Sequence, residues 1–216
     1  EKMINAMYEI AKAEIGAMVY TVPPIWLYVA RAESRTDLWE RWSRDKEKYA
    51  TGDFYFLRVL LVGFASEKQL EYEEKVLKDI AAEMGAVSIK EGRPLDRSWI
   101  VSTDSLRVYN VAGGELSTKF AFDSIDVAAK MLRLTSKLRD KHIPPFYDVK
   151  GDWGWIHLND LGHIAYGEFL VYLDNEDIDK VGEFETECML HDLEVKAYTA
   201  IQYPGRHRTL GPKMWN

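Results

Sequence analysis

Apolar residues recur at three- and four-residue spacing at Met3, Ile4, Met7, Ile10, Ala11, Ile15 and Met18, which predicts an amphipathic helix over residues 2–18. Pro23-Pro24 stops that helix, and the β-branched and aromatic residues of 25–31 predict a strand. A second helix is expected over 36–48, with Thr36 accepting a bond from an orphan N–H of the first turn. Trp39 and Trp42 share one face of it, either as its core stripe or as a stacking platform for an aromatic ligand. Residues 54–64 form a strongly apolar run that predicts a strand. Ser66 and Glu67 then open a helix over 67–84 with Leu70, Val76, Leu77, Ile80 and Met84 on one side. Gly85 ends it, because glycine takes the left-handed C-cap conformation without a Cβ penalty. A short returning strand is expected at 86–90.

Residues 92–114 interrupt the pattern: Asp96 caps a helix to about 109 that carries Trp99, Leu106 and Arg107, and Gly113-Gly114 marks a turn. The alternation then restarts with a strand over 116–122 and a helix over 125–141, capped by Asp123 or Ser124. Pro144-Pro145 breaks the chain before its densest mixture of glycine, aromatic and histidine residues, Trp153 to Tyr172. Alternating runs at 153–158 and 163–172 flank Asn159-Asp160-Leu161-Gly162, which predicts an antiparallel hairpin whose turn uses the positive φ open to glycine. Asn175 caps a last helix over 176–191, and 194–203 is the last strand. These elements predict an α+β fold: a mainly antiparallel sheet with helices packed on one face and ferredoxin-like halves. The aromatic content of the strands suits a second face closed by an oligomer contact or another domain better than one left to water.

The composition narrows the partners. A formal charge of −7, with no Lys/Arg cluster free of interleaved acids, argues against nucleic acid or an anionic membrane and leaves small molecules or proteins. Cys188 is the single cysteine, so no internal disulfide is expected and a reducing, cytoplasmic setting fits. No apolar run reaches the roughly 18 residues of a membrane span, and no signal-peptide pattern opens the sequence. It begins at Glu1 within a helical pattern and ends in Gly211-Pro212-Lys213-Met214-Trp215-Asn216, which looks like the opening of another helix; a piece of a longer protein is expected. There is no G-x-G-x-x-G after a strand, no Walker A loop and no G-x-S-x-G elbow.

The order of elements resembles the C-terminal cap domain of FAD-linked oxidases and dehydrogenases, the vanillyl-alcohol oxidase and D-lactate dehydrogenase superfamily. Gly162-His163-Ile164-Ala165-Tyr166-Gly167-Glu168 is similar to its G-H-x-G-D-G-N-x-H strand, and Gln202-Tyr203-Pro204-Gly205-Arg206-His207-Arg208 stands in the place of its E-H-G-x-G-R turn. The resemblance implies a cap that encloses a small hydroxylated or carboxylated substrate, a phenolic alcohol or a 2-hydroxy acid, over FAD. It also implies that the FAD is bound mainly by a separate N-terminal domain.

The resemblance also sets expectations for the site. Metal-dependent members use two histidines and a glutamate, but here only His163 is in register, Leu170 stands at the second histidine, Tyr166 replaces an aspartate, and the glutamate of the later turn is missing or replaced by a neighbour of Gln202. No metal is therefore expected, the alternative being a cluster of His157, His163 and Glu168 if the hairpin arms face correctly. Members that oxidise phenols use tyrosine and arginine instead. On that pattern Tyr203, His163 and Tyr166 are the expected catalytic groups, while Arg206, Arg208, His157 and Glu168 hold the substrate. The competing readings are a basic surface turn for 205–208 and, for the whole chain, a non-catalytic ferredoxin-like binding or dimerisation module that forms a homo-oligomer through its free face.

Overall fold

The computed structural model describes residues 1–53, 55–89 and 116–195. Helix α1 (Lys2–Lys12) buries Ile4, Ala6, Met7 and Ile10. It ends earlier than its stripe suggests, because Glu14 and Gly16 take positive φ of 52° and 86°, which no right-handed helix continues through. Met18 therefore opens a strand, β1 (Met18–Val22), that helical spacing had concealed. Next, α2 (Pro24–Val29) occupies the place of the expected strand. Pro24 sits in its first turn, where the fixed φ is helical and the missing N–H has no partner to lose. In α3 (Arg35–Asp45) the cap is Ser34 rather than Thr36, its Oγ accepting from the Asp37 N–H at 3.2 Å.

The expected strand at 54–64 is observed as β2 (Phe56–Leu60). Helix α4 (Glu67–Met84) keeps its predicted bounds, capped by Ser66 and closed by Gly85 at φ 68°. Residues 86–89 are not a strand; Lys90, the helix expected at 96–109 and the Gly113-Gly114 turn lie outside the described residues. Then follow β3 (Leu116–Asp123), α5 (Ile125–Arg139) with Ser124 as its cap, β4 (Trp155–Asn159), β5 (Ile164–Val171) and α6 (Asp179–Val195). Glu194 and Val195 are helical where the last strand was expected to begin, and the remainder of that strand lies outside the described residues.

The fold is α+β, and among the described residues five strands pair in the order β2-β1-β4-β5-β3 with every neighbouring pair antiparallel. β3 and β4 run parallel on either side of β5 and are joined through α5, a split βαβ unit of the ferredoxin-like kind. The four long helices α1, α4, α5 and α6 lie on one face, where Met7, Ile10, Ile80, Leu132 and Phe184 pack with Val19, Ile156, Phe169 and Val171 of the strands. Strand periodicity turns Tyr20, Leu170 and Tyr172 to the other face. There they pack with Ile25, Trp26, Leu38 and Trp42 of α2 and α3. The helix expected over 36–48 thus lies opposite the others. Only Pro23 separates β1 from α2, so α2 follows at once and packs its apolar residues on the face of Tyr20, Leu170 and Tyr172.

Trp39 and Trp42 belong to this second layer. Trp42 is buried and donates its indole N–H to the Asp148 carbonyl at 2.8 Å, while Trp39 stacks on Tyr147 at 4.2 Å. Full burial of a side chain of Trp42's size contributes about 1.5–3 kcal/mol, and the partly buried Trp39 packs against the same cluster, so the two rings anchor the α2–α3 pair to the sheet.

Candidate functional site

One row of side chains crosses the sheet beside the α2–α3 cover. Arg58 of β2 stands opposite Tyr20 of β1, Tyr20 opposite His157 of β4, His157 opposite Tyr166 of β5, and Tyr166 opposite Phe122 of β3. Direct cross-strand partners share a face, so all five point away from the long helices. Behind the row Trp155 faces Glu168. The Trp155 ring lies 5.4 Å from that of Tyr166 and 5.8 Å from that of Trp26, which places it at the border of the α2 cover.

The row is chemically graded. At one end the Arg58 guanidinium lies over the Tyr20 ring and donates from Nη1 to the Tyr20 oxygen at 2.9 Å. In the middle His157 lies 6.2 Å from Tyr20, and burial holds its pKa below the ordinary histidine value, so its imidazole is neutral at pH 7. Further along, the Tyr166 hydroxyl donates to Glu168 Oε2 at 2.7 Å. Glu168 is only 8% exposed, and among the described residues no cation pairs with it. Phe122, 53% exposed and 5.0 Å from the Tyr166 ring, closes the row. Aromatic walls, a cation at one end and a Tyr–Glu pair towards the other can orient a small polar molecule and move a proton from it.

Of the residues expected from sequence, His157, Tyr166 and Glu168 come together on this face. His163 does not join them: it lies exposed at the hairpin turn, its backbone N–H donating to the Asp160 carbonyl at 3.0 Å. The turn itself forms as predicted, with Gly162 at φ 88°. Among the described residues no three His, Cys, Asp or Glu side chains are grouped to hold a metal ion. Tyr203, Arg206 and Arg208 lie outside the described residues. Sequence reasoning missed Arg58, Tyr20 and Phe122. Arg58 was readable as the one charged residue within the apolar run 54–64. Tyr20 was hidden because β1 follows the helical stripe so closely.

A second polar centre, on the opposite side of β4, is structural. Asp152, 4% exposed, accepts at Oδ1 from the Gly154 N–H at 2.7 Å and from the Tyr55 hydroxyl at 3.2 Å. Desolvation pushes its pKa up to about 6, against the lowering influence of Arg139 and the Gly154 N–H. The buried Arg139 guanidinium donates to the Asp152 carbonyl at 2.9 Å and to Asp140 at 2.8 Å. Gly151 and Gly154 serve close backbone packing: a Cβ would collide with the carbonyl oxygen of Tyr49 at one and of Glu168 at the other.

Comparison of the chain with models of protein families, with curated proteins and with solved structures found no match.

Proposed function

We propose that this chain is the substrate-binding cap of an FAD-dependent oxidoreductase acting on a small hydroxylated or carboxylated molecule, a phenolic alcohol or a 2-hydroxy acid. The observation that carries the reading is the in-register row Arg58–Tyr20–His157–Tyr166–Phe122 beside Glu168 on the face away from the long helices. It supplies flat apolar walls, a guanidinium that suits a carboxylate or phenolate, and a tyrosine–carboxylate pair suited to a departing proton.

In this reading the row supplies the substrate side of the site. The glycines of 151–154 do not cradle the FAD phosphates, since they approach the chain's own backbone. The dinucleotide then belongs to the N-terminal FAD-binding domain that the resemblance implies. When bound, it supplies a hydride acceptor. The residues of this chain hold the substrate, exclude water and take its proton. In the same reading Tyr203, Arg206 and Arg208 supply further polar groups.

A dimerisation module would cover the same face, and the exposed Phe122 and Ile164 favour contact of some kind there. Purification of the full-length protein decides between them. A yellow protein with flavin absorbance that bleaches anaerobically with a hydroxy acid or phenolic alcohol is expected. A colourless dimer would sink the reading.

A further inference from the structure

We infer that the cleft between α1 and α5 binds the phosphoryl group of a small soluble molecule through Lys130, Arg133 and Lys137. The cleft lies on the helix side of the sheet, away from the row, so its ligand is not the flavin of the cap reading and the inference stands apart from that reading.

The first observation is a cleft of about 360 Å³ lined by all three cations, with Ile4, Ala129 and Leu134 as its apolar part. That volume suits a small ligand. Residues 127–139 contain no acid, a local exception to the interleaved charges of the rest of the sequence. Spaced three and four residues apart, Lys130, Arg133 and Lys137 share one exposed face of α5. Like charges at that spacing weaken a helix unless an anion comes between them.

The second observation is that the three have no ion pair among the described residues, although acids outnumber bases by 35 to 28 in the chain. Lysines on other solvent-facing helical positions show the ordinary arrangement. On α4, Lys75 pairs with Asp79 at 2.7 Å and Lys78 with Glu74 at 3.1 Å. Lys141, one turn beyond Lys137, pairs with Glu187 at 3.4 Å. Two acids also line the cleft, Glu1 and Asp126, but neither is paired with the three cations; Asp126 accepts instead from the Tyr8 hydroxyl at 2.9 Å.

The third observation is that Arg133 is already positioned. Its guanidinium carbon lies 5.3 Å from the centre of the buried Trp153 ring, which in turn stacks on Tyr55 at 4.2 Å. A guanidinium held by a ring face keeps its N–H donors for an anion and has less freedom left to lose on binding. One guanidinium fork satisfies a carboxylate. A phosphate monoester carries close to two charges at neutral pH and three terminal oxygens, enough to partner three cations. The overall charge of −7 disfavours an anionic membrane as the source of that phosphate.

The test is calorimetric titration of the full-length protein at low salt with phenyl phosphate, benzoate and phenol. Phenyl phosphate should bind roughly tenfold tighter than benzoate or better, and phenol should give no saturable heat. Inorganic phosphate should compete, and added salt should weaken the binding. Arg133→Gln and the double variant Lys130→Gln/Lys137→Gln should each weaken phenyl phosphate on the order of tenfold. Arg133→Lys, which keeps the charge on the Trp153 face but not the fork, should fall between wild type and Arg133→Gln. Absence of saturable phenyl phosphate binding in the wild type, benzoate held as tightly, or unchanged affinity in both charge-removing variants overturns the site. Binding to vesicles containing phosphatidic acid without binding of phenyl phosphate also overturns it and assigns the face to a membrane. None of these outcomes touches the flavin content, on which the cap reading is judged.

Discussion

Trp26 donates its indole N–H to the Tyr172 oxygen at 3.1 Å across 146 residues of chain. Trp26 lies within α2, and Tyr172 directly follows β5, so the bond fixes the α2–α3 pair over one end of the sheet's second face. The row from Arg58 to Phe122 lies beside that cover. Trp26→Phe removes the donor and part of the buried ring; a loss of about 1–3 kcal/mol is expected in urea unfolding of the protein. An unchanged midpoint would mean that this contact does not hold the layer.

Asp152 should make stability depend on pH. Its folded pKa of about 6 exceeds the unfolded value near 3.9, so the folded state binds more protons between the two. The contribution is present in full below about pH 4, falls as the pH rises to about 6, and is level above that. It amounts to about 3 kcal/mol at most. Asp152→Asn still accepts from Gly154 and does not titrate, so the stability difference between variant and wild type should shift in favour of the variant from pH 4 to 7. Parallel pH–stability curves would count against it.

His157 should titrate below the ordinary histidine range, because its burial penalises the imidazolium. NMR of the ring nitrogens can follow it, with His157→Gln to assign the signal. A midpoint at or above about 6.5 would mean that a charge, not desolvation, governs the middle of the row.

Gly154 sits at φ 84°, with the Glu168 carbonyl in the space a side chain would need. Gly154→Ala should cost upwards of about 1 kcal/mol through the backbone strain alone and displace β5 at Glu168. A variant as stable as wild type in thermal unfolding would contradict the packing described.

Gly205 to Arg208 belong to the proposed site through the resemblance alone. Arg206→Ala or Arg208→Ala in the full-length protein should slow flavin reduction by substrate on the order of a hundredfold with flavin content unchanged, if a bidentate contact strengthens as charge develops. Wild-type kinetics in both variants, measured anaerobically by stopped flow, would remove these residues and leave the sheet row as the candidate site.

Where a local rule has one physical outcome, the sequence was enough. Ser66 and Gly85 bound α4, since a hydroxyl before a helix and a glycine after it satisfy orphan backbone groups with no help from the rest of the chain. The central hairpin was legible in the same way, its turn closing at Gly162 and its alternation bringing Tyr166 and Glu168 to one face. Pro23-Pro24 and Met18 show the limit. Tandem proline permits either a strand boundary or a helix start, and a methionine three residues after Ile15 fits a helical stripe until a positive φ at Glu14 turns the chain. Which face α3 covers, and which residues from β1, β2, β3 and β4 stand beside Tyr166, depends on strand order and register. Those were decided only by packing: the apolar residues of α2 and α3 bury against Tyr20, Leu170 and Tyr172 on the second face, and cross-strand pairing brings Arg58, 108 positions before Tyr166 in the sequence, into its row.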